Sequence, residues 1–218
     1  KINTGAKYDS KAFQKSVGLN GVGSKAVNAL SNYFKVTAFR DGKEKTAEFE
    51  RGVLTQEHKE AKTTEDNGTL VTFVPDDKIF KNFHFVQEYL DNQFWNYCYL
   101  NAGLVMNLNN KRYVSKNGLL DLLQRKTNED EIRYPIIHLK GEDIEVAITH
   151  ENDYGEEYYS FVNGQFTTQG GTHLAAFREG FVKTIREFYK KDYDASDIRG
   201  SVCAALSIRV QEPVFESQ

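Results

Sequence analysis

The stretch Gly18-Leu19-Asn20-Gly21-Val22-Gly23-Ser24 governs the interpretation of this sequence. Three glycines within six residues permit positive φ angles and a close approach of the backbone to a ligand. Residues 24–31 follow with helical spacing, so unpaired N–H groups at the start of a helix would point back at the glycines. This pattern predicts a phosphate site, but a plain glycine-rich turn before a helix has the same spacing. It matches neither the dinucleotide fingerprint nor the Walker pattern.

Outward from this segment, the first half of the chain predicts a hairpin. Residues 36–39 and 45–49 flank Asp41-Gly42, a pair that favours a tight turn. Other expected features are a mobile polar loop at 1–17, an exposed loop at 55–66, a strand at 68–74 and an amphipathic helix at 83–99.

The second half mixes strands and helices, and we place a domain boundary near Ser115. Thr172 is expected to cap a long helix, Thr172–Tyr189, and residues 202–210 alternate with Val202, Ala204 and Leu206 on one face. The order of elements predicts an α+β fold. Further strands are expected at 104–108, 113–114, 136–139, 144–150 and 158–162, with a short helix at 118–126.

Composition limits the class of protein. The 218 residues include 39% hydrophobic residues, and 28 basic against 31 acidic residues give a net charge of −3, so a disordered chain and a chain-wide basic field are both excluded. Cys98 and Cys203 lie far apart, which favours a reduced cytoplasmic protein and leaves a disulfide open. The five histidines form no zinc-like spacing. The chain has no membrane-spanning apolar run, and its start at Lys1 predicts a piece of a longer protein.

Residues 3–31 resemble the B subunits of DNA gyrase and topoisomerase IV, where a G-L-H-G-V-G segment is followed by a V-V-N-A-L-S helix. Four more motifs follow in family order: Gly68-Thr69, then residues 170–174 with Phe177-Arg178, then residues 197–200, and then residues 215–218. The resemblance covers essentially the whole chain. It implies part of a GHKL (Bergerat) ATPase α/β sandwich at 1–115. A transducer domain similar to ribosomal protein S5 domain 2, a small sheet with helices on one face, follows at 116–218.

The resemblance also implies an ATP site, with Mg²⁺, in the full-length protein. Lys7 would reach the phosphates, Thr69 would lie near the adenine, and Gln218 would begin the Q-T-K loop. The family usually has His where this chain has Asn20, whose amide cannot titrate near neutrality. The main chain would bind the triphosphate at Gly18, Leu19, Asn20, Gly21, Val22, Gly23 and Ser24.

The family's general base, metal ligand and adenine-reading carboxylate belong to segments upstream of Lys1. No carboxylate of this chain lies in a matching motif, so the sequence assigns no catalytic and no metal-binding residue. We expect the chain alone not to hydrolyse ATP. The implied partners are the topoisomerase A subunit, in a heterotetramer of two A and two B subunits, DNA, and a second B subunit in an ATP-dependent dimer.

Several alternatives stay open. Within the family we favour topoisomerase IV over gyrase. A non-catalytic S5-like module that binds nucleic acid and a GHKL mismatch-repair or chaperone ATPase are rival interpretations.

Lys7 is equally compatible with a solvated loop lysine and Thr69 with a buried strand residue. His173 receives no role, and the basic half of the long helix would face either DNA or solvent. Trp95 and its aromatic neighbours are expected in the core, and solvated turns are expected at Glu142, Asp143, Asp153, Glu156 and Glu157.

Overall fold

A computed structural model describes residues 15, 21–211 and 213–215. These residues form two compact units: residues 21–85 make up the first, and residues 86–211 and 213–215, together with Lys15, make up the second. The sequence boundary near Ser115 assigns residues 86–115 to the ATPase domain, and that assignment stays a prediction. No helix among the described residues is long and apolar enough to span a membrane.

The first unit is an antiparallel sheet with one short helix. The strand order is β3-β2-β1-β5, and β4 pairs with β2. The predicted hairpin is confirmed: Lys43 to Phe49 pair with Arg40 to Phe34, and Asp41 and Gly42 adopt φ angles of 53° and 76°. The elements are α1 (Gly23–Ala29), β1 (Ser31–Arg40), β2 (Lys43–Glu50), β3 (Val53–Glu57), β4 (Ala61–Lys62) and β5 (Gly68–Pro75).

The predicted loop at 55–66 is wrong, because β3 and β4 lie there. All residues of both strands are exposed, so the strands lack the alternation of apolar residues that marks a strand in a sequence. Charged pairs link this segment to β2: Lys45 of β2 lies 2.6 Å from Glu57 of β3, and Lys43 of β2 lies 2.7 Å from Glu60, the residue before β4. Exposed pairs of this kind add little stability, and backbone pairing extends the sheet.

The second unit is built on a five-stranded sheet of order β11-β10-β12-β9-β8. Strand β12 is parallel to β10 and antiparallel to β9. Its elements are α2 (Gln87–Leu100), β6 (Val105–Leu108), β7 (Lys111–Val114), α3 (Leu119–Lys126), β8 (Ile137–Lys140), β9 (Ile144–His150), β10 (Glu157–Val162), β11 (Gln165–Phe166), α4 (Thr172–Tyr189), α5 (Ala195–Arg199) and β12 (Val202–Ile208).

Helices cover both faces of this sheet, so the expectation of helices on one face is wrong. Leu119, Leu122 and Leu123 of α3 pack on the face that carries Cys203 and Ala205. On the opposite face, Phe177 and Phe181 of α4 pack against Val202, Ala204 and Leu206. Because Cys203 and Ala205 have small side chains, α3 can approach the strand closely. The central strand is therefore buried on both sides.

The aromatic group around Trp95 belongs to the core, as predicted, except for Tyr97, which is 41% exposed. Trp95 stacks on Tyr99 at a centroid distance of 5.4 Å, and its ring meets Tyr113 edge-on at 5.3 Å. Tyr99 and Tyr113 are buried, and Trp95 packs against the α3 side of the core. A base-stacking platform would need exposed rings, so this cluster is structural.

The predicted cap of the long helix by Thr172 is wrong. Gly171, with φ 141°, is the residue that precedes the first turn of α4, and no side chain of the described residues caps it. A Cβ at Gly171 would lie 3.1 Å from Nδ1 of His173. The close approach of this backbone to His173 therefore requires glycine at the position where a capping side chain would stand.

Candidate nucleotide-binding site

The described part of the predicted phosphate segment is the entry to α1. Gly21 adopts φ 59°, in the left-handed region, and Val22 precedes the first residue of the helix, Gly23. In the described part of the chain, no side chain caps this helix end and no acidic residue occupies its first turn. The main-chain N–H groups of Gly23 and Ser24 therefore have no partner within the helix, as in the first turn of any α-helix.

Lys25 brings a positive charge to the same turn. Its Nζ donates a hydrogen bond to the carbonyl oxygen of Gly21 at 2.9 Å. The ammonium group thereby lies beside the positive-φ glycine at the head of α1. Sequence reasoning did not single out this lysine, although its position four residues after Gly21 on a short helix allows the contact.

The backbone of Asp76, a residue with a buried carboxylate, holds the C-terminal end of α1. Asp76 is 2% exposed, and its backbone N–H donates to the carbonyl oxygen of Leu30 at 2.9 Å. Nε of Arg51 donates to Asp76 Oδ2 at 2.5 Å. This hydrogen bond, together with one from the backbone N–H of Lys78, holds the pKa of Asp76 below its usual value. Sequence reasoning missed this pair because Arg51 and Asp76 lie 25 residues apart.

Thr69 stands elsewhere on the sheet. It pairs with Ala38 near the hairpin end of β1, whereas α1 leads into the other end of that strand at Ser31. At ~3.4 Å per residue the two positions on β1 are about 24 Å apart. Thr69 is exposed, so the alternative of a buried strand threonine is wrong. Lys7, Gly18, Leu19, Asn20 and Gln218 lie outside the described residues, and their roles stay predictions.

Two of the sequence motifs meet at one carboxylate in the second unit. Both oxygens of Glu156 accept hydrogen bonds from Arg178, at 3.0 Å each, and Oε1 also accepts one from Arg199 at 3.2 Å. Tyr158 donates to Oε2 at 2.7 Å, and its ring lies under the Arg178 guanidinium at 5.5 Å. Glu156 was expected in a solvated turn. The residue is exposed, as expected, but its carboxylate makes these four contacts and its side chain is 25% exposed.

His173 takes part in a short polar chain. Its Nε2 lies 3.3 Å from Oγ1 of Thr167, which in turn donates to the carbonyl oxygen of Ser160 at 2.9 Å. Burial lowers the pKa of His173, so the neutral ring is favoured. The contacts are those of a packing residue, and they connect the start of α4 to β10.

The basic half of the long helix consists of Lys183 and Arg186 near the end of α4 and Lys190 and Lys191 just after it. Lys183 and Arg186 line a groove of about 590 Å³. Two of these four basic residues have acidic neighbours: Lys183 lies 3.8 Å from Glu187, and Arg186 lies 3.2 Å from Asp192. Because acidic side chains accompany the basic ones, this described surface does not carry the uniform positive field that binds nucleic acid without sequence preference.

Comparison with known proteins identifies the family. The sequence profile of DNA gyrase B matches residues 103–218. The chain belongs to the DNA gyrase B family. Over its whole length it is 48% identical to the B subunit of DNA topoisomerase 4 from Borreliella burgdorferi and 31% identical to the B subunit of DNA gyrase from Helicobacter pylori. It spans 36% and 31% of the lengths of these relatives.

Solved structures agree with this family. The 43K ATPase domain of Thermus thermophilus gyrase B, in complex with an aminocoumarin, superposes with a TM-score of 0.73 at 28% identity, covering 90% of this chain and 60% of that one. The ATPase region of Saccharomyces cerevisiae topoisomerase II shares the fold, with a TM-score of 0.72 at 23% identity over 92% of this chain and 54% of the yeast chain. The α+β class and the family predicted from the sequence are thereby confirmed.

Proposed function

We propose that this chain is part of the ATP-binding subunit of a cytoplasmic type II DNA topoisomerase, in which ATP binding and hydrolysis drive the passage of one DNA duplex through another. The observation that carries the proposal is the similarity to B subunits over the whole chain. The higher identity, 48% against 31%, favours topoisomerase IV over gyrase.

The head of α1 suits the phosphates of ATP. The positive φ of Gly21, the N–H groups of Gly23 and Ser24, and the ammonium of Lys25 present donors and positive charge on one short segment. We infer that these groups, with Gly18, Leu19, Asn20, Val22 and Lys7, bind the triphosphate. Thr69, near the other end of β1, is proposed for the adenine and not for the phosphates, and Gln218 for the start of the Q-T-K loop. Bound ATP with Mg²⁺ would supply the phosphoryl chemistry; the base and the metal ligands belong to other parts of the protein.

The Glu156 cluster supports a relay role for the second unit. It joins the start of β10 to α4 and α5 by hydrogen bonds, and we infer that these three elements form one body. A switch needs contacts that differ between the nucleotide-bound and free states. We propose that this body transmits ATP binding to the closing of two B subunits on DNA, in a complex with two A subunits.

The deciding experiment uses the full-length protein with candidate A subunits. Mixed with a topoisomerase IV A subunit, it should change the linking number of closed circular DNA only when ATP and Mg²⁺ are present. Restoration of activity by a gyrase A subunit alone would assign the chain to gyrase. Salt-sensitive DNA binding without any ATP-dependent strand passage would instead favour the S5-like nucleic-acid module.

A further inference from the structure

Three neighbouring strands of the second unit bring a thiol and two carboxylates together at one end of the sheet. Glu151 directly follows β9, Glu157 begins β10, and Cys203 is the second residue of β12. Glu157 is the direct partner of Cys203 in the parallel pair, and the backbone N–H of Glu151 donates to the carbonyl oxygen of Ser201 at 2.8 Å. The ligand atoms of the three side chains all lie within 4.8 Å of one another.

The thiol at the centre of this group is buried. Cys203 is 0% exposed and is not in a disulfide. Its sulfur lies within 4.8 Å of a carboxylate oxygen of Glu151 and of one of Glu157. The buried thiol and the two carboxylates beside it place one sulfur and two oxygen ligands around one point.

The negative charges of the two carboxylates are available to bind a cation. In the part of the chain that the structure describes, neither Glu151 nor Glu157 forms an ion pair; Lys126 lies over the Tyr159 ring, 5.2 Å from its centroid. The hydroxyl of Tyr159 donates to one oxygen of Glu157 and so fixes the direction of that carboxylate. Hydrogen bonds of this kind orient the ligands of metal sites.

We propose that Glu151, Glu157 and Cys203 bind a divalent cation of the zinc class. Sulfur and carboxylate oxygen in one set match the ligand preference of Zn²⁺, and three protein ligands leave a fourth position for water. Zinc takes such ligands at about 2.0–2.3 Å, so they would close to roughly 3.5 Å of one another on binding. The Cys203 thiol gives its proton to solvent as the sulfur–metal bond forms.

The ion would act as a structural link. It joins the ends of β9, β10 and β12, the three strands at the middle of the sheet. Its ligands are far in the sequence from the glycine segment at the head of α1, and they bind a cation, whereas that segment is proposed to bind phosphate. Because the unfolded chain does not hold the three ligands together, binding stabilises the folded state.

The test is a titration of the metal-free 218-residue chain with Zn²⁺ and with Co²⁺ as a spectroscopic probe. Zn²⁺ should raise the thermal midpoint of unfolding, and Co²⁺ should give the near-ultraviolet charge-transfer band of a thiolate–cobalt bond. Cys203→Ser should abolish the band, and Glu151→Gln should weaken binding roughly tenfold or more. Cys98→Ser is the matched control, because Cys98 is equally buried, and it should change neither readout.

A charge-transfer band that survives Cys203→Ser but disappears in Cys98→Ser would overturn the proposal, as would the absence of any midpoint shift with Zn²⁺. Should Cys203→Ser fail to fold, Glu151→Gln and Glu157→Gln decide the question, since these side chains lie nearer the surface. Zinc affinity unchanged in both glutamine variants would also reject the site.

Discussion

Arg178 binds Glu156 with two parallel hydrogen bonds, one from Nε and one from Nη2, each 3.0 Å long. Arg199, from a separate motif 21 positions further along, reaches the same carboxylate at 3.2 Å. Two motifs that are distant in the sequence therefore share one acceptor, and Glu156 fixes the position of both arginines.

We expect Glu156→Gln to destabilise the second unit by about 1 kcal/mol, because a neutral amide loses the charge of the acceptor and offers one oxygen in place of two. Arg178→Lys should have a similar effect, since an ammonium cannot make the two-pronged contact. Denaturant unfolding measures both. Glu187→Gln is the control: its pair with Lys183 is 3.8 Å long and about two-thirds exposed on each side, so a change below about 0.5 kcal/mol is expected.

The same carboxylate predicts a pH dependence. Burial alone would raise the pKa of Glu156, but hydrogen bonds from Tyr158, Arg178 and Arg199 outweigh it and place the pKa below the usual 4.5. A carboxyl group with a lowered folded pKa stabilises the protein above its unfolded pKa, and that stability disappears as the pH falls through the folded pKa. The advantage of the wild-type chain over Glu156→Gln should therefore be full near neutrality and shrink below pH 4.5. A gap that stays constant across this range in denaturant titrations would contradict the assignment.

Gly23 offers a test of the phosphate segment that leaves the fold intact. A Cβ at this position meets no atom within 4 Å, so Gly23→Ala should fold normally. If phosphate oxygens approach the main chain here, the methyl group obstructs them, and affinity for a non-hydrolysable ATP analogue should fall about tenfold, or ~1.4 kcal/mol. Calorimetric titration of the full-length protein gives the answer.

Gly180→Ala is the control for this substitution. Gly180 lies on the exposed side of α4, and a Cβ there also meets nothing within 4 Å. It should stabilise the helix by about 0.5–1 kcal/mol and leave nucleotide affinity unchanged. If the Gly23→Ala and Gly180→Ala variants bind the ATP analogue with equal affinity, the head of α1 is not part of the nucleotide site.

Alanine substitutions at Gly118 and Gly103 distinguish the cost of a steric conflict from the cost of backbone strain. Both glycines have positive φ angles, 63° and 90°, so alanine should cost about 1 kcal/mol at either position. At Gly118 the new Cβ would also lie 2.5 Å from Oε1 of Glu145, the oxygen that accepts from the N–H of Leu119. We expect Gly118→Ala to cost roughly 1–3 kcal/mol more than Gly103→Ala, because it displaces this contact at the start of α3. Equal unfolding free energies would show that Glu145 moves aside freely.

The sequence predicted those elements whose signals are local. Asp41-Gly42 marks the hairpin because the turn needs positive φ, and the apolar spacing along α4 gives its bounds. The loop predicted at 55–66 failed because β3 and β4 are held by pairing to β2, which leaves no periodicity in their side chains. Local sequence patterns indicate the secondary structure that a segment prefers by itself, whereas β3 and β4 form because they pair with β2.

The same distinction applies to the sites. The head of α1 was predictable because glycine and helix signals lie side by side. Glu156 was not, since it looks like one acidic residue in a turn, and its partners lie 22 and 43 positions away. His173 was singled out by resemblance, yet its contacts with Thr167 explain it through packing.

The place of β12 in its sheet has a consequence for biosynthesis. This strand is the last of the second unit among the described residues, yet it lies between β10 and β9. When the ribosome has synthesised β8 to β11, the strand that lies between β10 and β9 has not yet been made. The nascent unit must wait, with two unpaired strand edges, until Ile208 leaves the exit tunnel. Newly made chains should therefore depend on chaperones at this stage more than the mature protein does.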